Sequence, residues 1–334
     1  MNYSLVIAGQ LRNQYLIPPE GKPILDKPGG NLLYAASGAR QWVDKVHLLT
    51  RIGENYPHDW ISDFQQKGME ITGIRILPGA MDLRSFICYS DMGELQRSNP
   101  VSHFVKLGIP FPKGLLGYLS QGSDQDNRNV SNPDSPKLSD IPAEYRVAKG
   151  VLLCPLDLLT HSQLAPAFRH GGVPIVCIDP GSSYMNSNFF DDLRSLLQGV
   201  TAFLPSEKEI RDLFWGRTND LWEMASTLGS FGCEIIVIKR GGHGQYVYEH
   251  ASGKKWDIPA YPSKLIDPTG AGDVFSGGFL AGYAETLDPL LAAMKGNISA
   301  SFSIEGTGAF FSLDSMPGLA QARLHSLENL VRRI

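Results

Sequence analysis

The chain is poor in the features that mark secreted, membrane-spanning or metal-stapled proteins. Its 334 residues hold four cysteines, Cys88, Cys154, Cys177 and Cys233. No two form a Cys-x-x-Cys pair, and three sit in apolar runs (FIC, VLLC, IVC). This argues against a disulfide framework or a cysteine zinc site and predicts buried thiols in a reducing cytosol. No run of 18 apolar residues occurs, so no transmembrane helix is expected. The start, MNYSLVIAGQLRNQ, turns polar too soon for a signal peptide and reads as a buried strand, Leu5 to Ala8, ending at Gly9. A cytoplasmic protein is expected. With 30 Lys and Arg against 34 Asp and Glu, the net charge is −4 and no basic footprint marks a nucleic-acid partner.

Several catalytic signatures are missing as well. The eight histidines show no H-E-x-x-H spacing, which removes support for a zinc hydrolase. PGSSY at 180–184 has no G-x-S-x-G elbow. GTGAFF at 306–311 lacks the third glycine of a dinucleotide fingerprint and lies far from the first strand. ASGKK at 251–255 lacks the first glycine of a P-loop and falls in a predicted hairpin. No internal repeat is visible.

What is present is an alternation. Short β-branched runs (KVHLLTRIG, GVLLCPLD, VPIVCIDPG, VTAFLPS, CEIIVIKRGG) are interleaved with helix-length amphipathic stretches (NLLYAASGARQWV, LLTHSQLAPAFRHG, NFFDDLRSLLQG, SEKEIRDLFWG). This order predicts a mostly parallel sheet covered by helices on both faces, with ligands at the carboxyl ends of its strands. Two segments break the rhythm. QYLIPPEGKPILDKPGG (14–30) is rich in Pro and Gly, and RSFICYSDMGELQRSN (84–99) reads as a hairpin turned at DMGE; together they predict a small antiparallel sheet. The polar stretch 118–142 is either an ordered surface excursion or a mobile insertion. QYVYEHASGKKWDIPAY reads as a further hairpin, turned at Ala251 to Gly253.

The most informative stretch is LIDPTGAGDVFSGGFLAGY, Leu265 to Tyr283. Helical periodicity starts near Asp273, so Gly270, Ala271 and Gly272 sit at a helix N-terminus. Unpaired N–H groups and the helix dipole make that end attract anions. The same dipole is expected to depress the pKa of Asp273. A carboxylate base beside backbone donors suits phosphoryl transfer to an alcohol. The residues equally suit a tight turn with Asp273 as a plain N-cap. Gly277 and Gly278 suggest close packing of this helix under another element.

DPTGAGDVFSGGFLAGY closely resembles the second signature of the PfkB, or ribokinase-like, family of sugar and nucleoside kinases, with Pro268 at the usual Thr position. The resemblance implies ATP-dependent phosphorylation of a hydroxymethyl group, with Asp273 as general base and the N–H groups of Gly270, Ala271, Gly272 and Asp273 as the anion hole. PSEKE resembles the family's Asn-x-x-Glu element, with Ser206 in place of Asn and Glu209 retained; the resemblance implies that Glu209 places Mg²⁺, often through water. By itself this stretch is a helix start with Ser206 and Glu209 as a capping box. KRGGHG places Lys239, Gly241 and Gly244 on the family's nucleotide loop, otherwise a plain turn. Asn297 matches a residue on the adenine side, and otherwise reads as a solvated helix residue.

The front half matches less well. PGGNLLYAASGARQW resembles the sugar-binding Gly-Gly motif, with Gly29 and Gly30 letting substrate approach the backbone. Asn31 is the expected polar contact, or else a helix N-cap; gapped alignment puts Leu33 or Tyr34 at the family's substrate-binding Asn. After the first strand many members carry a substrate-binding Asp, where GQLRNQ offers Arg12 and Gln14. Arg12 faces either solvent or an anionic substrate such as a sugar acid or phosphate; Gln14 is expected to contact substrate. The expectation is therefore a single ribokinase-like α/β domain over 1–334. Its small β lid comes from about 10–28 and 80–112, and a homodimer through that lid is one implied contact. ATP and Mg²⁺ are the implied cofactors, with a monovalent cation in some members. The acceptor is a small sugar or sugar derivative. A nucleoside kinase walled by Tyr15, Phe86 and Tyr89 is the alternative, and a non-catalytic sensor on the same fold is a third reading.

Overall fold

Alternate residues of a strand point to opposite faces, and in this chain both faces are apolar. A computed structural model describes residues 4–90, 93–120 and 126–334. Leu5 and Ile7 enter one buried apolar cluster while Val6 and Ala8 enter another. The same division runs through neighbouring strands: Cys177 opposes Val176 and Ile178, and Val237 opposes Ile236 and Ile238. A sheet apolar on both faces has to be covered on both.

The strands are β1 Leu5–Ala8, β2 Arg12–Ile17, β3 Ile24–Gly29, β4 Val46–Gly53, β5 Met69–Leu77, β6 Arg84–Tyr89, β7 Leu95–Gln96, β8 Gly150–Leu153, β9 Ile175–Ile178, β10 Ala202–Phe203, β11 Ile235–Lys239, β12 Gln245–Glu249, β13 Lys254–Ile258 and β14 Arg332–Arg333. The helices are α1 Asn31–Arg40, α2 His58–Gln66, α3 Pro100–Lys106, α4 Leu158–His170, α5 Phe190–Leu196, α6 Glu207–Leu213, α7 Leu221–Ser230, α8 Ala271–Thr286, α9 Pro289–Ser303 and α10 Leu319–Glu328. Ten strands form one sheet in the order β14-β13-β12-β11-β10-β9-β8-β1-β4-β5. It is parallel from β11 to β5 and antiparallel at the β11–β14 edge. Helices α1, α2, α8, α9 and α10 cover one face, and α4 to α7 the other. The hairpin expected near residue 250 is β12–β13.

A second sheet of four strands, β3-β2-β6-β7, stands apart. It is mixed, where the sequence led us to expect antiparallel pairing throughout: β2 and β6 run parallel, with Tyr15 opposite Phe86. The chain leaves after β3, builds α1 to β5 in and beside the main sheet, and returns to β2 in the same direction. One face of this sheet, with Tyr15, Ile17, Phe86 and Cys88, forms its own small core with Phe104 of α3 and Leu115. The other face carries Gln14, Ser85, Ile87 and Tyr89.

Asp91 and Met92 of the expected DMGE turn, and residues 121–125 of the polar stretch, lie outside the described residues. From Asp126 onward that stretch is pinned. The Asp126 carboxylate accepts from Leu158 N–H and Ser183 Oγ, Ser135 Oγ donates to Asp157 at 2.7 Å, and Arg51 grips Asp140 through two nitrogens. All four cysteines are buried, and among the described residues no helix is long and apolar enough to cross a membrane.

Helix α8 is wedged between α1 and α9 at backbone distance. A Cβ on Gly277 would lie 1.8 Å from the Ala35 carbonyl oxygen, and one on Gly38 would lie 2.0 Å from that of Val274. On the other flank a Cβ on Gly278 would meet Ser299 Oγ at 2.5 Å. Backbone atoms cannot rotate away, so an added methyl must displace a helix. Gly277→Ala is expected to lose on the order of 3 kcal/mol in urea unfolding. Gly242→Ala, where a Cβ meets nothing within 4 Å, is expected to stay within about 0.5 kcal/mol. Equal costs at the two sites would refute the packing argument.

Candidate active site

The loops after β1, β8, β9, β10 and β11 and the cleft face of the small sheet enclose a cavity of about 2280 Å³. Single-ligand pockets run to roughly 1,000 Å³, so this one has room for two ligands together.

At its floor is the N-terminus of α8. The helix begins at Ala271, two residues earlier than the periodicity suggested, and its N-cap is Gly270 at φ 73°. That backbone, and the Tyr34 ring lying where a Cβ would come within 2.2 Å of it, require glycine. Asp273 is thus the third helical residue and makes no capping bond. The plain N-cap reading fails. The Ala271 N–H closes the turn onto Pro268 O at 3.2 Å, which removes it from the expected anion hole. Among the described residues the N–H groups of Gly270, Gly272 and Asp273 have no acceptor.

Beneath this turn lies an ion pair that the sequence reading missed. Asp179, just past β9, is buried and accepts from Lys239 Nζ at 2.5 Å and from Ser276 Oγ at 2.7 Å. Ser276 also bonds Gly272 O at 3.1 Å, tying the pair to the α8 turn. Lys239, expected on the nucleotide loop, is therefore held by a carboxylate. Its pKa is lowered by burial, but the nearby carboxylates of Asp179, Glu209 and Asp273 outweigh that and raise it. The only signal for Asp179 was its place, an acid ending the apolar run IVCI.

Asp273 departs from expectation. Burial of its carboxyl, followed by repulsion from Asp179, pushes its pKa up from 3.8 to about 7; Lys239 pulls it down, Glu209 raises it, and Arg97 lowers it. The helix dipole was expected to depress it. A dipole worth half a charge loses to desolvation and neighbouring full charges.

Glu209 does form the capping box: Ser206 N and Ser206 Oγ each donate to Glu209 Oε2 at 2.8 Å. The carboxylate still lines the cavity. Among the described residues no group of three or more His, Cys, Asp or Glu has metal-holding geometry. A Mg²⁺ held through water and phosphate oxygens needs no such group.

On the loop after β11, where nucleotide was expected, Gly241 and Gly242 leave open space beyond their Cα atoms, whereas Gly244 is pressed against Ile258 O. Asn297 is buried, contrary to a solvated residue. Its amide donates to Gln245 Oε1 and Pro259 O and accepts from Tyr261 N–H. Its polar atoms hold the wall of the cleft together.

Beside the small sheet, Asn31 is the first helical residue; the N-cap is Gly30. Its Oδ1 accepts from Gln10 N and its Nδ2 donates to Pro155 O, both at 2.7 Å. The expected cap is thus replaced by a cross-link between the β1 and β8 loops, on a side chain that also lines the cavity. Gly29 packs on Gln14 and Gly30 on Gln10 O, so the Gly-Gly pair serves a chain crossing. Gln14 is buried, lines the cavity and accepts from Tyr34 OH at 3.1 Å. Arg12 lies on the cavity wall rather than in solvent, and its charge is already met. It is paired with Asp134, a residue no sequence signal brought to this place. Of the aromatic wall, Tyr15 and Phe86 are buried in the small sheet's own core. Tyr89 lines the cleft, its OH within 2.9 Å of Thr269 Oγ1 in the Gly-Ala-Gly-Asp turn.

The sequence description of the pfkB family carbohydrate kinases matches residues 123–316. The chain belongs to this family and is a phosphotransferase acting on a sugar or nucleoside. It is 28% identical over 282 residues to a cytidine kinase of Thermococcus kodakarensis, covering 84% of this chain and 88% of that protein. A putative ribokinase II of E. coli, solved with ATP and Mg²⁺, superposes with a TM-score of 0.72 at 15% identity, covering 98% of this chain and 100% of that one. A Burkholderia thailandensis nucleoside kinase solved with inosine gives 0.69 at 16% identity, covering 98% and 99%.

A carboxyl whose pKa rises on folding costs stability when charged. The folded state holds an extra proton between about 3.8 and about 7, so the cost is full above pH 7 and disappears as pH falls. Asp273→Asn is expected to raise the stability at pH 8 by on the order of 1–3 kcal/mol. The gain should shrink toward pH 5 in paired thermal melts. A pH-independent difference would contradict this account.

Proposed function

We propose that the protein transfers the γ-phosphoryl group of Mg-ATP to the hydroxymethyl group of a neutral sugar moiety, free or in a nucleoside, with Asp273 as general base. The observation that carries this reading is the α8 N-terminus. A carboxylate with a pKa near neutrality stands beside the acceptor-free N–H groups of Gly270, Gly272 and Asp273, in a cleft large enough for two ligands. A base works best with its pKa near the operating pH, and preorganised donors stabilise charge that develops on the transferred group. The relationship to a cytidine kinase makes cytidine the first acceptor to test.

In this reading Asp273 takes the proton of the acceptor hydroxyl. The acceptor oxygen then bonds to phosphorus as the bond to the ADP oxygen breaks. Mg²⁺, when bound, neutralises the nucleotide phosphates. The residues present suit it, because Glu209 raises the proton affinity of both Asp179 and Asp273, and Asp179 raises that of Asp273; a cation relieves that repulsion. Glu209 is the side chain we assign to it, through water. Gly241 and Gly242 leave room for the nucleotide, and Ser206, Lys239, Gly244 and Asn297 shape its wall. Gln14 with Tyr34 forms the acceptor floor.

We read the chain as one domain whose small sheet is the lid, with the Tyr89–Thr269 bond as its latch, excluding water as a rival acceptor. Five cations line the cleft: Arg12, Arg84, Arg97, Lys208 and Lys239. Four are paired, with Asp134, Asp82, Asp212 and Asp179. Arg97 has no carboxylate partner among the described residues. It follows β7, in which Leu95 lies opposite Tyr89, so alternation turns Arg97 to the cleft face. We assign it to the charge on the transferred phosphoryl group.

With Mg-ATP and cytidine, ribose and related acceptors, turnover in Asp273→Ala is expected to fall by about 10²–10⁴. The wild-type kcat/KM should lose about tenfold per pH unit below the base's pKa. Acceptor-independent silence with nucleotide binding intact would instead indicate a sensor. Arg97→Ala is expected to lower kcat by about 10²-fold while leaving the Kd of a non-hydrolysable ATP analogue within a few-fold. An unchanged kcat would remove Arg97 from the mechanism.

A further inference from the structure

We infer that Asp134, delivered by the pinned stretch after residue 125, sets the charge class of the acceptor by neutralising Arg12. This rests on the kinase reading above and names the acceptor class of the same site. Arg12, Gln10 and Asp134 form a closed triangle on the cavity wall beside Gln14, Asn31 and Tyr34. Arg12 Nη1 pairs with Asp134 Oδ2, Gln10 Nε2 donates to Asp134 Oδ1 at 3.1 Å, and Arg12 Nη2 donates to Gln10 Oε1 at 2.9 Å. The side chains of Arg12 and Asp134 are 16% and 11% exposed, and that remaining surface opens into the cleft.

A largely buried guanidinium alone would attract a carboxylate or phosphate on the acceptor, and a largely buried carboxylate alone would attract an amine. Closed on each other they present a wall of no net charge that still offers spare N–H donors and carboxylate lone pairs to hydroxyl groups. That suits a polyhydroxylated neutral acceptor. The pair is held from both sides. Arg12 belongs to β2, paired to β3 opposite Gly29. Asp134 is fixed by its neighbour Ser135, whose hydroxyl bonds Asp157, the N-cap of α4. Neither charge is free to leave the other.

The inference predicts specificity changes of opposite sign for the two partners. Asp134→Asn keeps the shape and leaves Arg12 unneutralised. Gluconate, used as an anionic probe, is expected to bind at least about tenfold more tightly than to wild type, with the gain lost in high salt. Arg12→Gln leaves Asp134 alone, and glucosamine is expected to gain by a similar factor over ribose. Binding is read by calorimetry without nucleotide, and thermal melts check that each variant is folded. Wild-type turnover of a neutral acceptor is measured beside them and tests the kinase reading separately. Folded variants that lose neutral ligands without either opposite gain would overturn the inference. If Asp134→Asn does not fold, Arg12→Gln decides alone: no preference for glucosamine sinks it.

Discussion

Everything at this site depends on how closely helix α8 is allowed to approach its neighbours. Gly277 and Gly38 bring its backbone against α1, and Gly278 brings it against Ser299 of α9. Helices with side chains at the contact stay about 8–10 Å apart, and that spacing would lift the helix off the sheet. At backbone contact, its first turn drops into the row of loops at the carboxyl ends of the strands. Asp273 then lies near Asp179 and Lys239, residues carried by β9 and β11. The Asp273 carboxylate and its electrostatic surroundings share no local sequence. The packing of small residues along α8 puts them in one place.

That placement makes the electrostatics self-consistent. Three carboxylates and one lysine meet here, and burial together with the neighbouring charges shifts the proton affinity of Asp179, Lys239 and Asp273. The helix dipole remains in the balance, but a fraction of a charge cannot offset the burial of a whole one. The usual argument from helix termini to a depressed carboxylate therefore reverses sign here. The charge that would be costly in a resting protein suits the base role we propose for Asp273.

How far the chain could be read in advance follows from the range of the forces involved. Strand and helix periodicity is local, so the sheet-and-helix rhythm and the β12–β13 hairpin were legible. The Gly-Ala-Gly-Asp turn was legible because its parts are adjacent. The mixed pairing of β2 with β6 was not, since a strand's direction in a sheet depends on the path of the chain between. Asn31 and Asn297 were singled out for ligands, but their polar atoms hold loops together. A sequence shows that an amide is present and cannot show which partner reaches it first. Asp134 bonds residues more than a hundred positions away, and no pattern in its own neighbourhood announces it.

The same accounting explains how the cleft divides its labour. Side chains that looked like ligand contacts mostly satisfy one another or the backbone: Asn31, Asn297, Ser206 and Arg12 are all engaged. What remains turned toward open space is largely main chain, at Gly241, Gly242 and the first turn of α8. Main-chain groups have no rotamers to order on binding, so a phosphoryl donor seated there, as we propose, costs little entropy. In that reading selectivity comes from the other end of the cleft. There Asp134, from a distant stretch of chain, compensates Arg12 beside Gln14 and Tyr34, and in the acceptor reading we propose the variable part of recognition rests on that pair of charges.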